Sequence, residues 1–295
     1  MAASVRLSIV IPTRDRQHLL PRAITSALSE CVEGEEIVVV RDREGRAVLP
    51  HDLLPEPPQL RVIRSDGPSG ASGTRNAGVA AAAGSHVAFL DDDDEYLPGA
   101  LERVRRAAST GASWGFAQRL MRTGRTDDWY ITPDRTRITA SGLLGRKVPF
   151  RHKIAPLSTG FWILRSLFQD LGGLSTALRI DEDTNLCCRL LAAGHPPWFE
   201  IEPAVIFDHT VDSTSLTRGR PYDLQVECYL RTLRNNIGPL ASERGAGSFL
   251  VLRTQRAILR SGRRDLEDAF VAAISTRRLR FLAAARRLVW RVAGR

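Results

Sequence analysis

Four consecutive aspartates, Asp91 to Asp94, directly follow a short apolar segment, Val87 to Leu90, that has the composition of a buried strand. Adjacent carboxylates repel one another by roughly 1 kcal/mol per close pair even in water, so a folded chain tolerates such a run where cations lie among them. Hard divalent cations such as Mg²⁺ and Mn²⁺ prefer carboxylate oxygens. In open α/β sheets, ligands bind beyond the carboxyl ends of the strands. The run therefore predicts a metal site at the end of a core strand.

A solvated loop and an EF-hand calcium loop are the two alternatives to a metal site of this kind. The abrupt join to an apolar strand disfavours an ordinary solvated loop. An EF-hand is suggested because Asp91, Asp93 and Glu95 occupy alternate positions and Glu102 occupies the twelfth. The sixth position of that loop needs glycine for a sharp turn, and here it is Tyr96. We therefore reject the EF-hand.

Strand-like and helix-like segments alternate along the first two thirds of the chain. Runs rich in β-branched residues predict strands at 6–11, 36–40, 60–64, 87–90, 158–164 and 205–207. Apolar residues at helical spacing predict helices at 18–28, 74–83, 165–171 and 181–193. Residues 67–73 form a glycine-rich loop, and residues 111–158 show no regular pattern. The alternation predicts an α/β fold with a mixed, mostly parallel central sheet flanked by helices.

The positive charge of the chain is confined to its last quarter. Residues 221–295 hold 15 arginines, no lysine and six acids, whereas residues 1–220 hold equal numbers of basic and acidic residues. A nucleic-acid partner would rest only on this basic tail, and because heavy arginine use can reflect genome composition, no such partner is expected. No stretch reaches 18 apolar residues, and the apolar N-terminal run is too short and too β-branched for a signal peptide. Four sparse cysteines without CxxC spacing fit a reducing cytoplasm, which is the expected location.

Beyond residue 220 the sequence is helical, which predicts a main domain, 1–220, followed by a basic helical C-terminal extension, 221–295. On a wheel of about 100° per residue, the last segment has a broad apolar face of Leu279, Leu282, Ala285, Val289, Trp290 and Val292. Arginines fall opposite this face at 280, 287 and 291, and intrude on it at 278 and 286. A basic amphipathic helix suits peripheral contact with an anionic membrane at its inner face. The alternative is a terminal helix packed on its own domain, with its arginines in solvent.

Four motifs occur in order and at suitable spacing. A strand end turns into a helix at 9–16, and a strand ends in an acid at 36–42. Residues 67–94 include Arg75-Asn76 and the acidic run, and residues 165–194 include Gly172-Gly173 and Glu182-Asp183. Together the motifs resemble the family 2 glycosyltransferases, inverting enzymes with a GT-A type nucleotide-diphospho-sugar transferase fold. The resemblance covers about residues 5–215 and weakens beyond them.

The resemblance implies roles for many of these residues. Asp91-x-Asp93 corresponds to the family's D-x-D element, so Asp93, with Asp91 and His209, is implied to bind a divalent metal, Mn²⁺ or Mg²⁺. Such a metal stabilises the negative charge that grows on a departing nucleoside diphosphate. The implied nucleotide- and donor-binding residues are Pro12, Thr13, Arg14, Asp42, Arg75, Asp91, Asp92 and Asp94. A UDP-sugar is the favoured donor and a dTDP- or GDP-sugar the alternative, while the acceptor is not identified by the sequence.

The acid pair Glu182-Asp183 at the start of the fourth predicted helix is the implied source of a general base. The acceptor hydroxyl must lose a proton as it attacks the anomeric carbon, and a carboxylate suits that step. The resemblance assigns the role to Asp183, with Glu182 beside it. The alternative is that both acids only stabilise the helix N-terminus, by about 0.3–1 kcal/mol each. Ordinary structural roles are likewise the alternatives for Arg75 and His209.

One motif departs from the family pattern. The second strand commonly ends V-V-D-D-G-S in the family, whereas here it ends Val39-Val40-Arg41-Asp42-Arg43-Glu44. This departure leaves open a non-catalytic nucleotide-sugar-binding relative. A sugar nucleotidyltransferase is a further alternative, but such an enzyme needs a glycine-rich phosphate loop directly after the first strand, and the first glycine here is Gly34. The leading hypothesis is an inverting, metal-assisted glycosyltransferase.

Overall fold

The structure is a computed structural model that describes residues 5–46, 57–122, 129–132, 138–208, 222–274 and 276–292. The chain divides into two compact units. Unit 1 comprises Met1–Leu144, Ala155–Ala177 and His195–Ser213, and unit 2 comprises Gly145–Ile154, Leu178–Gly194 and Thr214–Arg295. The domain boundary predicted at residue 220 stays a prediction, and the predicted metal ligand His209 lies outside the described residues.

Unit 1 consists of ten strands and four helices in its described residues. The strands are β1 (Leu7–Thr13), β2 (Glu36–Arg41), β3 (Leu60–Arg64), β4 (His86–Phe89), β5 (Asp94–Tyr96), β6 (Trp114–Arg122), β7 (Trp129–Thr132), β8 (Gly142–Leu143), β9 (Trp162–Leu164) and β10 (Trp198–Asp208). The helices are α1 (Leu20–Glu30), α2 (Ala71–Ala81), α3 (Ala100–Ser109) and α4 (Arg165–Asp170). The predicted alternation of strands and helices is confirmed.

All ten strands form one mixed sheet. Their order is β3-β2-β1-β4-β9-β6-β10-β5, with β7 paired to β6 and β8 paired to β10. The block from β3 to β4 is parallel, so its strands end at one edge of the sheet. β9 pairs antiparallel with both β4 and β6, and β5 pairs antiparallel with β10. The acidic run therefore connects the carboxyl end of β4 to β5, at the edge where ligands bind in α/β sheets.

β1 is buried on both faces, as expected for an interior parallel strand covered by helices. One face packs with α1 in a core cluster that includes Leu7, Ile9, Ile11, Leu20, Ala23, Ile24 and Ala27. On the other face, α2 approaches the sheet so closely that a Cβ at Gly78 would lie 2.5 Å from Val10 Cγ1 and 2.9 Å from Val40 Cγ2. The glycine is thus required for α2 to lie against β1 and β2.

Unit 2 is helical in its described residues. Its helices are α5 (Glu182–Ala192), α6 (Tyr222–Asn236), α7 (Ala246–Ser261), α8 (Glu267–Ala273) and α9 (Arg277–Val292). The Lys153 ammonium is buried and donates a hydrogen bond to Glu243 at 2.8 Å. The rings of Phe150 and Phe249 pack with their centroids 5.5 Å apart. The helical character predicted beyond residue 220 is confirmed, as four separate helices.

Several elements differ from the sequence predictions: β9 begins at Trp162 instead of 158, and β5 and α3 were not predicted. β10 has 11 residues, whereas the sequence predicted only three. The prediction was too short because Pro203 interrupts the strand pattern, at the point where the register of β10 with β6 shifts. α2 begins at Ala71, three residues earlier than predicted and inside the predicted loop. The region without a regular pattern, 111–158, contains β6, β7 and β8. These strands owe their stability to partners distant in sequence, since β6 pairs with β9 and β10.

No helix in the described ranges is long and apolar enough to cross a membrane. The cytoplasmic location predicted from the sequence stays a prediction. All four cysteines are free thiols, and Cys187, Cys188 and Cys228 are buried while Cys31 is half-buried. Burial raises the pKa of Cys31 to about 12, so this thiol is protonated at neutral pH and is a weak nucleophile.

Candidate active site

Three of the four consecutive aspartates form a compact carboxylate cluster, consisting of Asp91, Asp93 and Asp94. One oxygen from each carboxylate lies within 4.8 Å of the others. The backbone makes a tight turn here, in which the Asp94 N–H donates to the Asp91 carbonyl at 3.1 Å. Asp94 then enters β5 opposite Phe207 of β10. The turn between two strands of one sheet therefore brings the three carboxylates together.

Asp94 is the most unusual member of the cluster. Its side chain is only 1% exposed, and neither carboxylate oxygen has a hydrogen-bond partner among the described residues. Burial, together with the charges of Asp91 and Asp93, raises its pKa well above the ordinary value. A buried carboxylate without a partner costs several kcal/mol if it is ionised. A cation bound beside Asp94 would favour its ionised form and would remove that cost.

The donor set fits a hard divalent cation. All three groups are carboxylates, the ligands that Mg²⁺ and Mn²⁺ prefer. The three residues lie on one tight turn, and neither oxygen of Asp94 is occupied by a hydrogen bond. The structure thus brings together the predicted metal ligands Asp91 and Asp93, and it adds Asp94, which was predicted to bind the donor.

Arginines offset much of the negative charge of the acidic run. Arg75, itself buried, pairs with Asp91, and Arg16 pairs with Asp93 and lies 3.3 Å from Asp92. The repulsion expected between adjacent carboxylates is therefore balanced partly by the protein itself. Arg75 was predicted to bind the donor, which stays a prediction, and its pairing with Asp91 fits the structural alternative. Arg16 was not predicted as a site residue. The signal for Arg16 was its position in the turn that follows β1, beside the predicted residues Thr13 and Arg14.

Asp92 does not belong to the carboxylate cluster, and it ties two strand ends together. The Thr13 hydroxyl at the end of β1 donates to Asp92 Oδ2 at 2.7 Å. Burial raises the pKa of Asp92 to about 6, against the opposing effects of the Thr13 hydrogen bond and the Arg16 charge. Two predicted donor-binding residues, Thr13 and Asp92, are thus bonded directly to each other. Their bond fixes the ends of β1 and β4 beside the cluster.

Asp42, the acid after β2, holds the start of α2. Its carboxylate accepts hydrogen bonds from the backbone N–H groups of Gly70 (2.6 Å) and Glu44 (2.9 Å). It also accepts from the hydroxyls of Ser69 (2.8 Å) and Thr74 (3.0 Å). Burial alone would raise its pKa, but these hydrogen bonds outweigh burial and lower it. The carboxylate is therefore ionised at neutral pH and already engaged by four donors.

Arg14 and Pro12, also predicted to bind the donor, lie in different surroundings. Arg14 is 55% exposed and pairs with Glu44 at 3.0 Å, so it does not join the arginines on the acidic run. Pro12 belongs to β1 and lies opposite Val40 of β2. Pro12 precedes Thr13 in β1 and Arg14 follows it, and of the three residues only Thr13 contacts the aspartates through a described hydrogen bond.

In unit 2, the start of α5 is held in an unusual backbone conformation. Asp181 is the only non-glycine residue of the described ranges with a positive φ, at 73°. Arg253 of α7 pairs with Asp181 at 2.6 Å and donates to the Thr184 hydroxyl at 3.3 Å, while its guanidinium lies 4.2 Å from the centre of the Tyr229 ring. Strained backbone of this kind persists only where surrounding contacts fix it. Arg253 was not predicted, since nothing in its local sequence marks it.

Asp183 lies within this fixed segment, in the first turn of α5. Its Oδ1 accepts a hydrogen bond from the Thr184 N–H at 2.6 Å. Burial, followed by the charges of Glu182 and Asp181, raises the pKa of Asp183 to about 7. A carboxyl group with a pKa near neutrality is well matched to general base catalysis. The same shift argues against helix stabilisation as its only role, since a protonated acid contributes little to it.

Comparisons with known proteins agree with this geometry. Residues 8–172 match the family model described as glycosyl transferase family 2. An uncharacterised glycosyltransferase of Haemophilus influenzae is 28% identical over 187 residues, which are 63% of this chain and 62% of that protein. The GalNAc(5)-diNAcBac-PP-undecaprenol beta-1,3-glucosyltransferase of Campylobacter jejuni is 32% identical over 120 residues, 39% of this chain and 38% of that protein. The matches thus span less than two thirds of these relatives.

The fold is also similar to that of a solved structure. TarS 1–349 from S. aureus, crystallised in complex with UDP-GlcNAc, superposes with a TM-score of 0.65 over 91% of this chain and 79% of that one, at 13% identity. The likeness confirms the predicted GT-A type fold. The matched family model covers more than half of the sequence, including β1, the acidic run and the first four helices. This chain therefore belongs to glycosyl transferase family 2.

Proposed function

We propose that this protein transfers a sugar from a nucleoside-diphosphate donor to an acceptor hydroxyl, with inversion at the anomeric carbon. The observation that carries the proposal is the buried carboxylate of Asp94, which has no hydrogen-bond partner among the described residues and lies beside Asp91 and Asp93. An unpaired buried acid is costly unless a cation joins it. Family membership gives that cation a role in handling a diphosphate.

Asp93, Asp91 and Asp94 would hold the cation, with Mn²⁺ and Mg²⁺ as the candidates. Bound there, the ion would offset the negative charge that develops on the diphosphate leaving group. Arg75 and Arg16 neutralise part of the charge of the aspartates and hold two of them in place. His209 stays a predicted further ligand.

The donor is proposed to be a UDP-sugar, with dTDP- and GDP-sugars as the alternatives. The similar fold of TarS binds UDP-GlcNAc, which supports a uridine nucleotide. Binding of the nucleotide is proposed for the strand ends that carry Pro12, Thr13, Arg14 and Asp42, and binding of the sugar for Arg75, Asp91, Asp92 and Asp94. Because Asp42 is already engaged by four donors, its part in nucleotide binding would be to shape the loop that precedes α2.

Asp183 is proposed as the general base, with Glu182 keeping its pKa raised. The acceptor oxygen forms a bond to the anomeric carbon while the bond from that carbon to the diphosphate oxygen breaks. The hydroxyl proton passes to the Asp183 carboxylate, and the electron pair of the broken bond leaves with the nucleoside diphosphate. A single displacement of this kind converts an α-linked donor into a β-linked product.

The proposal is tested by measuring the slow hydrolysis of nucleotide-sugar donors, a reaction in which water takes the place of the acceptor. The protein is incubated with Mn²⁺ and with UDP-, dTDP- or GDP-sugars, and the released sugar is followed by NMR before its anomers equilibrate. We expect one nucleotide class to be cleaved, with the β-anomer appearing first from an α-linked donor. Cleavage of no donor, or first release of the α-anomer, would contradict the proposal.

A further inference from the structure

Helix α9 exposes two large hydrophobic side chains on one side. Phe281 is 75% exposed and Leu288 is 65% exposed. They are seven residues apart, which is close to two turns, so they lie on the same side of the helix. The opposite side packs inward: Ala283 is only 5% exposed, and its carbonyl accepts a hydrogen bond from Gln255 of α7 at 2.6 Å.

This pattern corrects the face expected from the sequence. Leu279 and Leu282 of the predicted face are half-buried, but Ala285 is exposed and Ala283 is buried instead. The side chains of Val289, Trp290 and Val292 lie outside the described residues. The expected alternative of a terminal helix with only arginines in solvent accounts for the buried side of α9. It does not account for Phe281 and Leu288. Exposing two large apolar side chains on one side of a helix costs free energy, and burying them against a partner would remove that cost.

The charge that α9 itself carries around these two side chains is positive, while Glu267 of α8 pairs with Arg287. Residues 276–292 hold six arginines and no acid. Arg277 and Arg278 are exposed in the first turn of α9, one turn before Phe281. Exposed apolar side chains flanked by arginines are typical of helices that lie in the plane of an anionic membrane surface. A second copy of this chain is a poor occupant, because two such faces would bring like charges together.

A cavity of about 460 Å³ opens beside the same helix, between α7, α8 and α9. Its walls are mainly apolar, and two of the exposed hydrophobic side chains, Val271 and Leu288, belong to them. Arg280 and Arg287 line the same cavity, and Arg287 pairs with Glu267 at 2.5 Å. An apolar recess with guanidinium groups on its wall suits an acyl chain whose head group is anionic.

We propose that the outer face of α9, with this cavity, binds the surface of an anionic phospholipid bilayer. Phe281 and Leu288 enter the boundary between head groups and acyl chains, while Arg277 and Arg278 contact lipid phosphates. The contact is peripheral, and it goes beyond the proposed sugar transfer and does not depend on it.

The test is co-sedimentation of the full chain with vesicles of phosphatidylcholine alone or phosphatidylcholine mixed with phosphatidylglycerol. We expect binding to the mixed vesicles only, weakened by salt. The double variant Phe281→Ser/Leu288→Ser should bind about tenfold more weakly or worse. The matched control is Val32→Ser/Leu143→Ser, which removes two hydrophobic side chains that are 48% and 54% exposed in unit 1, and it should bind like the wild type.

A second variant keeps the test informative if the first one misfolds. Arg277→Gln/Arg278→Gln changes only exposed side chains, and it should also weaken binding about tenfold at low salt. Equal binding to neutral and anionic vesicles, no binding to either, or wild-type binding by both variants would overturn the proposal. A dimer in gel filtration that Phe281→Ser/Leu288→Ser converts to a monomer would overturn it in favour of a second copy.

Discussion

Asp183→Asn is expected to stop sugar transfer while leaving donor binding near the wild-type level. The amide keeps the size of the side chain and can still accept the hydrogen bond from the Thr184 N–H, but it cannot take the proton of the acceptor hydroxyl. Loss of a general base costs about 10²–10⁴-fold in rate. The measurement is kcat and the nucleotide dissociation constant of each protein, which separate chemistry from binding.

The pH dependence of the wild-type rate gives a second readout of the same residue. Burial and the charges of Glu182 and Asp181 raise the pKa of Asp183 to about 7, and only the ionised form can accept a proton. The rate should therefore rise roughly tenfold per pH unit well below 7 and level off above it. In Asp183→Asn, the residual rate should lose this rise.

A matched control separates a general base from an acid that only stabilises its helix. Asp268 is an exposed acid in the first turn of α8, so Asp268→Asn removes the same charge from the same kind of position. It should change stability by about 0.3–1 kcal/mol and leave the rate unchanged. A rate in Asp183→Asn within a factor of a few of the wild type would show that Asp183 is not the base.

Asp93→Asn is expected to abolish the metal dependence of nucleotide binding and to lower turnover about 10²–10³-fold. The substitution removes one charge from a cluster whose oxygens lie within 4.8 Å of one another, so a divalent cation loses a ligand. The fold should persist, because Arg16 keeps Asp92 as a partner and the remaining acids repel one another less. The melting temperature without metal should therefore be unchanged or higher.

Glu95→Gln is the matched control for the metal site. Glu95 directly follows the acidic run and pairs with Arg22 at 2.8 Å, but it does not belong to the carboxylate cluster. This variant should keep metal-dependent binding and turnover. Metal-dependent binding of wild-type strength in Asp93→Asn, or an equal loss in Glu95→Gln, would contradict the assignment.

The parallel half of the fold follows from local sequence, and the antiparallel half does not. β1, β2 and β4 are short apolar runs that are almost wholly buried, and β3 is an edge strand, with only Leu60 buried. The β-branched residues of these four strands predict them from local composition alone. β6 and β10 carry mixed residues along their length, and they pair with each other across more than 75 residues. Their strand character comes from that pairing and from packing, which a local pattern does not contain.

The candidate site was also predictable only in part. The acidic run predicted the cluster, because four adjacent carboxylates after an apolar strand repel one another unless a cation lies among them. The different contacts of the individual aspartates in the run have no such local signal. Burial leaves Asp94 without a partner among the described residues, while Asp92 bonds to Thr13. These differences arise from the turn into β5, which sets where each side chain points.

Long-range contacts explain the other residues that sequence reasoning missed. Arg253 lies 72 residues from its partner Asp181, and the hydroxyl of Ser69 reaches Asp42 across 27 residues. Neither pair has a local signal, since each depends on two elements folding against one another. Asp42 itself was identified, but its engagement by four donors gives it a structural task that the motif alone did not suggest.

The most direct test of a metal-assisted nucleotide-sugar site is calorimetric titration of the protein with UDP, dTDP and GDP, each with and without Mn²⁺. We predict that one nucleotide, with UDP favoured, binds in the presence of Mn²⁺ and binds far more weakly in its absence. Binding of equal strength with and without the metal would contradict the role of Asp91, Asp93 and Asp94. No binding of any nucleotide would instead favour a relative that has lost its donor site. Arg41 and Arg43 would then be the first residues to replace by the aspartate and glycine of the family pattern.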